Sequence, residues 1–196
     1  MTLRVVPLTG GEIAPALPAL ARLRIAVFRD WPYLYDGSLG YEEKHLAKLA
    51  AASGAIVVAA CDGESIVGCA TAAPMAEMGA ELAEPFRQRG MDIGRVYYCG
   101  ESVLLPACRG RGLGHAFFDH REAQGRRLGL FSHIAFCAVV RPETHPLRPE
   151  GYVPLDAFWG QRGYAKVDGL IARFTWKDID QKGETEKPMQ FWMRAL

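Results

Sequence analysis

The chain lacks any apolar run approaching the ~20 residues that a membrane-spanning helix needs, and its N-terminus lacks the charged and apolar layout of a signal peptide. A soluble, cytoplasmic protein with no membrane partner is the expectation. It also lacks an excess of either charge. Twenty-three Lys and Arg stand against 22 Asp and Glu, for a net charge of +1, with no basic run or acidic tail. Bulk electrostatic binding to nucleic acid is therefore not indicated, and any phosphate contact should be local. The five cysteines (Cys61, Cys69, Cys99, Cys108, Cys137) are odd in number, show no C-x-x-C spacing and fall mostly in apolar segments, so they read as reduced core residues. His133 and Cys137 share a strand face, and His115 and His120 share a helix, yet neither pair makes a tetrahedral set or an H-E-x-x-H spacing; no metal is expected. With 196 residues, 49% of them hydrophobic, the chain can bury the core of one α/β domain over residues 1–196.

What the chain does have is a stretch from Tyr97 to Gly129 that reads as strand, glycine turn and helix. Tyr97 to Leu105 is β-rich, Cys108 to Gly114 carries glycines at 110, 112 and 114, and a helix runs from Leu113 or Gly114 to Leu128. Glycines at alternate positions let the backbone approach a ligand without Cβ atoms intervening. The unpaired N–H groups and positive dipole end of the helix point into the same concavity, flanked by Arg109 and Arg111, so an anion such as a phosphate suits it. A Walker loop would need Lys and then Ser or Thr after the last glycine, where His115 and Ala116 stand, and a dinucleotide fingerprint would need its third glycine at 115. A ligand-free strand-to-helix turn is the bland alternative.

The rest of the chain supplies the frame. Leu3–Leu8 reads as an edge strand, and Glu12–Phe28 as a helix with Leu17, Leu20, Leu23 and Val27 on one stripe and prolines 15 and 18 fitting only its first turns. The aromatic loop Arg29–Gly37 leads to a second helix over 41–51; its aromatics either cap the core or wall a small-molecule pocket. Ala55–Ala73 is a hairpin turning at Asp62-Gly63-Glu64. The long connection from Pro74 to Arg95 holds a short helix near 81–89, and long connections are often functional. His133–Val140 is a continuously apolar strand, parallel to Tyr97–Leu105 through the βαβ rule. A proline-stiffened loop over 141–154, a short helix over 155–162 and strands near 167–176 and 189–193 follow, and the apolar end Met189–Leu196 offers an edge that a second copy could pair with, as a homodimer.

Arg109-x-x-Gly112-x-Gly114 after an apolar strand resembles the pyrophosphate loop of the GCN5-related N-acetyltransferases (GNAT family), and Phe158-Trp159-Gly160-Gln161-Arg162-Gly163-Tyr164 resembles that family's second signature. The resemblance implies a mixed α/β (α+β) central sheet flanked by helices, the GNAT-like acyl-CoA N-acyltransferase fold. It also implies acetyl transfer from acetyl-CoA to a primary amine of a small molecule or peptide, by direct attack in a ternary complex. Backbone N–H groups of Arg109, Gly110, Arg111, Gly112, Leu113 and Gly114, with His115, would hold the pyrophosphate, and Leu104 and Leu105 would pair with the pantetheine. The loop joining the first two helices would face the acceptor, with Trp31, Tyr33, Tyr35, Glu101, Arg141 and His145 as pocket candidates. Glu101 is the candidate base, because a carboxylate within an apolar strand is costly unless used and desolvation favours a raised pKa; the alternative is a structural Glu paired with an arginine such as Arg141. The family's usual acid is a Tyr where this chain has Trp159, which has no proton to donate at useful pH, so Tyr152 is the substitute candidate beside a packing role. The missing Tyr leaves open a non-catalytic acetyl-CoA sensor, a degenerate GNAT module. Cys99 and Cys137 have no adjacent base and read as inert.

Overall fold

The computed structural model describes residues 2–196. Seven strands form one mixed sheet: β1 (Leu3–Thr9), β2 (Ile56–Asp62), β3 (Ser65–Pro74), β4 (Val96–Leu104), β5 (His133–Val139), β6 (Ala165–Lys177) and β7 (Glu184–Ala195), in the order β1-β2-β3-β4-β5-β7-β6. All neighbours are antiparallel except β4 and β5, whose connection is the βαβ crossover through α4 (Leu113–Leu128). Four more helices complete the fold: α1 (Leu17–Phe28), α2 (Leu39–Ala51), α3 (Ala80–Gln88) and α5 (Asp156–Gln161). No helix among the described residues is long and apolar enough to cross a membrane.

Helix α1 begins later than its periodicity suggests. The segment before it forms two 3-10 turns, Gly10–Glu12 and Ala14–Ala16, because Pro15 and Pro18 have no N–H to donate and are tolerated only in a first turn. At the other end of the crossover, α4 stops at Gly129 with φ 68, after Arg126 and Arg127 in its last turn, a left-handed C-terminal cap with cations on the negative end of the dipole.

Both faces of the sheet are covered, and β2 shows it in its alternation. Ile56, Val58 and Ala60 pack with Phe117 and Phe118 of α4, whereas Val57 packs with Leu20 and Leu23 of α1 and Leu46 and Leu49 of α2. Helix α3 places Leu82 and Phe86 against Tyr98, Leu170 and Phe191 on that second face, so the long connection before β4 builds core. All five cysteines are buried and free.

Strand β7 corrects an expectation. It lies between β5 and β6 and is paired on both sides, so Met189–Leu196 offers no edge to a second copy; the open edges are β1 and β6. Sequence order placed it last, but its apolar face is needed in the sheet interior.

Two departures from regular pairing shape the centre of the sheet. Strands β4 and β5 pair only from Val96 to Tyr98 and from His133 to Ala135, then part company. On the other side of β4, the register with β3 shifts between Ala70 and Ala72, so Gly100 and Glu101 bulge opposite Thr71. A Cβ on Gly100 would lie 2.6 Å from the Thr71 hydroxyl, which is why glycine occupies the bulge.

Candidate active site

The gap between the diverging strands opens into a cleft of ≈ 1150 Å³. One end is the glycine turn. Gly110 and Gly112 have φ 72 and 77, a region open to glycine at little cost, and nothing lies within 4 Å of where their Cβ atoms would be. Gly112 caps α4 and its carbonyl accepts from the His115 and Ala116 N–H groups, which leaves the Leu113 and Gly114 N–H groups of the first turn without a helical acceptor. His115, one turn in, packs edge-on to Phe158 at 4.9 Å, and Arg162 Nη1 lies 3.4 Å from its Nδ1.

The side of the cleft is strand β4. Leu105 N–H donates to Val67 O at 3.0 Å, so strand alternation turns the N–H and C=O of Ser102 and Leu104 away from β3 and toward the gap. Arg109 Nε reaches back to Leu104 O at 3.2 Å, tying the turn to the strand.

The floor is Glu101, 7% exposed. The bulge turns its N–H to the Thr71 hydroxyl at 3.3 Å, and its carboxylate meets Arg24 of α1, with Oε2 at 2.6 Å from Nη1. Arg24 in turn bonds Glu42 of α2 through Nε at 2.5 Å. Oε1 of Glu101 and Oε1 of Glu42 are buried with no hydrogen-bond partner among the described residues. Arg121 of α4, also buried, spends Nε on Phe117 O and Nη1 on Thr71 O and Glu101 O.

The far wall is the aromatic loop, pinned from behind. Arg141 donates to Pro32 O at 2.8 Å and Tyr33 O at 2.6 Å while gripping both oxygens of Asp178. Leu34 sits at φ 55, uncommon for a branched side chain, held by its N–H on Asp30 O and by Ile179 N–H on its carbonyl at 2.7 Å. Trp31 and Tyr33 face the cleft, and the Trp31 indole N–H is buried without a partner among the described residues.

A glycine turn, a strand with free backbone groups and a buried carboxylate thus line one cleft, and comparison with known proteins decides the family. The sequence profile of the acetyltransferase (GNAT) family matches residues 20–148. The chain belongs to the GNAT acetyltransferase family. No curated protein sequence matches it. Among solved structures, the GNAT chain is similar to ribosomal-protein-alanine N-acetyltransferase from Brucella melitensis, with TM-score 0.62, 12% identity and all of both chains covered. It is also similar to NAA60 of Arabidopsis thaliana in complex with a bisubstrate analogue, with TM-score 0.62, 13% identity, 100% of this chain and 99% of that one. A third likeness is yncA from Salmonella typhimurium with its cofactor acetyl-CoA, with TM-score 0.57, 12% identity, 100% of this chain and 95% of that one. At these identities the likeness shows the fold: the mixed sheet flanked by helices is the GNAT acyltransferase fold. By family the chain is an acyltransferase, and the family uses acetyl-CoA.

Within this GNAT site the sequence candidates divide. Glu101, Leu104, Arg109, Gly110, Gly112, Leu113, Gly114, His115 and Tyr152 line the cleft, as do Trp31, Tyr33 and Arg141. Leu105 is turned to β3 by its N–H, and the exposed Arg111 side chain is not part of the lining. Tyr35 and His145 are likewise outside it; His145 sits behind Trp31 with rings 5.1 Å apart. Arg141 proves to be the partner of Asp178, and Glu101 pairs instead with Arg24, which no local pattern could assign. Tyr152 meets Trp31 edge-on at 5.9 Å, and burial, then Asp156, push its hydroxyl upward. Trp159 is packed among Phe136 and Trp192 at 5.0 and 5.1 Å. Burial pushes the Cys99 and Cys137 thiols up to about 11 and about 12, which suits packing residues.

Arg24 and Glu42 were missed. The signal was present: Arg24 interrupts the apolar stripe of α1 between Leu20 and Val27, and Glu42 stands at the i, i+4, i+7 spacing with Leu46 and Leu49, the buried face of α2.

Proposed function

We propose that the chain, as a single cytoplasmic domain, transfers acetyl from acetyl-CoA to the primary amine of a small molecule or peptide, by direct attack in a ternary complex. The observation that carries this reading is Glu101 Oε1, a buried carboxylate oxygen with no partner among the described residues, on the floor of a cleft whose other end is a glycine-rich helix N-terminus. Buried polar atoms are almost always hydrogen-bonded, so an orphan in a cleft marks the position of a ligand group.

The residues suit the donor. The N–H groups of the turn from Gly110 to Gly114, with the His115 side chain, would hold the pyrophosphate, whereas the Arg109 N–H is spent on Pro106 O; the gap-facing backbone of Leu104 and Ser102 would pair with the pantetheine amides. Bound acetyl-CoA supplies an activated acyl carbon on a thiolate leaving group. Glu101 holds the acceptor and takes a proton from its nitrogen before attack; the freed lone pair forms the N–C bond, the C–S bond breaks, the thiolate is protonated, and the nitrogen loses its second proton, giving amide, free thiol and one proton released to solvent. Tyr152, a phenol protonated at neutral pH whose hydroxyl burial shifts further upward, is the proton donor to that thiolate. The aromatic wall of Trp31 and Tyr33 sorts acceptors, with the free indole N–H of Trp31 as a donor to an acceptor oxygen.

Thermal stability with and without acetyl-CoA, beside free coenzyme A and ATP, tests the donor site. A ligand at about 100 times its dissociation constant stabilises by about 2.7 kcal/mol. A shift with both coenzyme A species and not ATP, followed by turnover on a panel of amines, supports the reading; binding without turnover on any amine or peptide would turn it to the sensor. No shift at millimolar concentration would overturn it.

A further inference from the structure

The cluster beneath the cleft has more carboxylate than it needs for structure. Glu42, Arg24 and Glu101 come from α2, α1 and β4, and all three are buried. Arg24 lies over the Phe28 ring at 5.0 Å and divides its guanidinium between the carboxylates, Nε to Glu42 and Nη1 to Glu101. Arg24 thus holds each carboxylate by one oxygen only; the Tyr35 hydroxyl, pushed upward by burial and by Glu42, lies beside that carboxylate and not beside Glu101. The nearby cation Arg121 does not bond either carboxylate, because its bonds go to backbone carbonyls. A purely structural ion cluster would be expected to satisfy these oxygens, since each buried orphan forfeits its hydration without return.

Building on the amine-acetylation reading, we propose that Arg24 and Glu42 are positioning residues that turn Glu101 into a docking point for a protonated primary amine. Glu42 fixes Arg24, Arg24 takes Glu101 Oε2, and Oε1 is left as the oxygen that receives an ammonium N–H at the cleft floor. The acceptor class is therefore an alkyl ammonium that arrives charged; neutral arylamines and alcohols of the same shape lack the N–H and the charge that complete the cluster. The bulge at Gly100 and Glu101 serves the same end, because it sets the carboxylate on the side of the sheet where α1 and α2 meet.

Methylammonium chloride is a probe small enough to reach any ammonium site, and tetramethylammonium chloride at the same ionic strength carries the charge without an N–H. Melting temperatures would be taken in each salt at about 100 mM, for the free protein and for the protein with acetyl-CoA. The wild type should melt higher in methylammonium than in tetramethylammonium. Glu101→Gln, which keeps the side-chain shape, should lose that difference while keeping its acetyl-CoA shift. Glu42→Gln should lose at least half of it with Glu101 intact, and Arg24→Lys should retain more of it than Arg24→Met, responses that a merely structural role would not produce. Equal melting of the wild type in the two salts, or an undiminished difference in Glu42→Gln and in Arg24→Met, would overturn the inference. Absence of an acetyl-CoA shift would instead count against the donor reading, and the salt comparison on the free protein would still decide the docking point.

Discussion

Two of the molecule's buried clusters of arginine and carboxylate, the one around Asp178 and the one around Arg24, are built to opposite rules. Around Asp178 everything is used: Arg141 spends Nε, Nη1 and Nη2 on Pro32, Tyr33 and both Asp178 oxygens, and Lys187 adds a contact at 3.2 Å. Around Arg24 two carboxylates share one guanidinium and each keeps an oxygen with no partner among the described residues. A fully satisfied cluster is a fastener, here clamping the loop over 31–35 to the β6–β7 turn. An unsatisfied one at a cleft floor is the cluster proposed above to receive a ligand's hydrogen. Burial of charge is common to both clusters, and the difference in bonded oxygens is what the proposal for the second one rests on.

The sharpest way to break the comparison is to neutralise one acid in each cluster. Glu101→Gln should lower kcat by about 10²–10⁴-fold, the usual worth of a positioned base, with a small change in stability because Arg24 keeps Glu42. Steady-state kinetics beside denaturant unfolding would check both halves, and an active Glu101→Gln would reduce the two clusters to one kind. Asp178→Ala should do the reverse, costing about 3–5 kcal/mol in unfolding free energy by leaving Arg141 and Lys187 buried without their anion.

The contrast extends to pH. Burial alone would push Asp178 up, but Arg141 and Lys187 outweigh it and hold the carboxyl below its usual value. A depressed folded-state pKa gives stability that is present above the unfolded value of about 3.9 and is lost as pH falls through the folded one. Urea unfolding between pH 6 and pH 3 should therefore show a loss below about pH 4 that is smaller in Asp178→Asn.

Weaker effects are expected in the glycine turn, where backbone amides are the proposed phosphate ligands. Gly112→Val forces a branched side chain to φ 77, at a strain of about 1–3 kcal/mol, and should weaken acetyl-CoA binding accordingly. Arg111→Ala removes an exposed side chain outside the cleft lining and should change the affinity by no more than a few-fold. Isothermal titration of both variants would rank them, and a larger loss at Arg111 would make that arginine a direct phosphate ligand.

Much of the fold was legible because its signals are local. The hairpin turn at Asp62-Gly63-Glu64, the stop of α4 at Gly129 and the apolar run of β5 are each written within a few residues. The glycine turn and the second signature over 158–164 carried the family resemblance, which the profile match over 20–148 and the fold then established. Glu101 stood out as a carboxylate in an apolar strand. Its partner did not, because Arg24 lies 77 positions earlier and the choice between Arg24 and Arg141 depends on which helix crosses which face. The start of α1 was displaced by its prolines, and the place of β7 by the needs of the sheet interior.

By itself the sequence determined the periodic elements, the glycine turn and the presence of a costly acid beside it, since propensity, turn chemistry and apolar spacing act over short separations. Only the tertiary structure decided that β4 and β5 part after three paired residues, that a bulge turns Glu101 onto Arg24, and that one carboxylate oxygen there stays without a partner among the described residues. Strand divergence, register shifts and ion pairing are settled by packing between segments distant in sequence, and their energies exist only once the whole sheet is assembled.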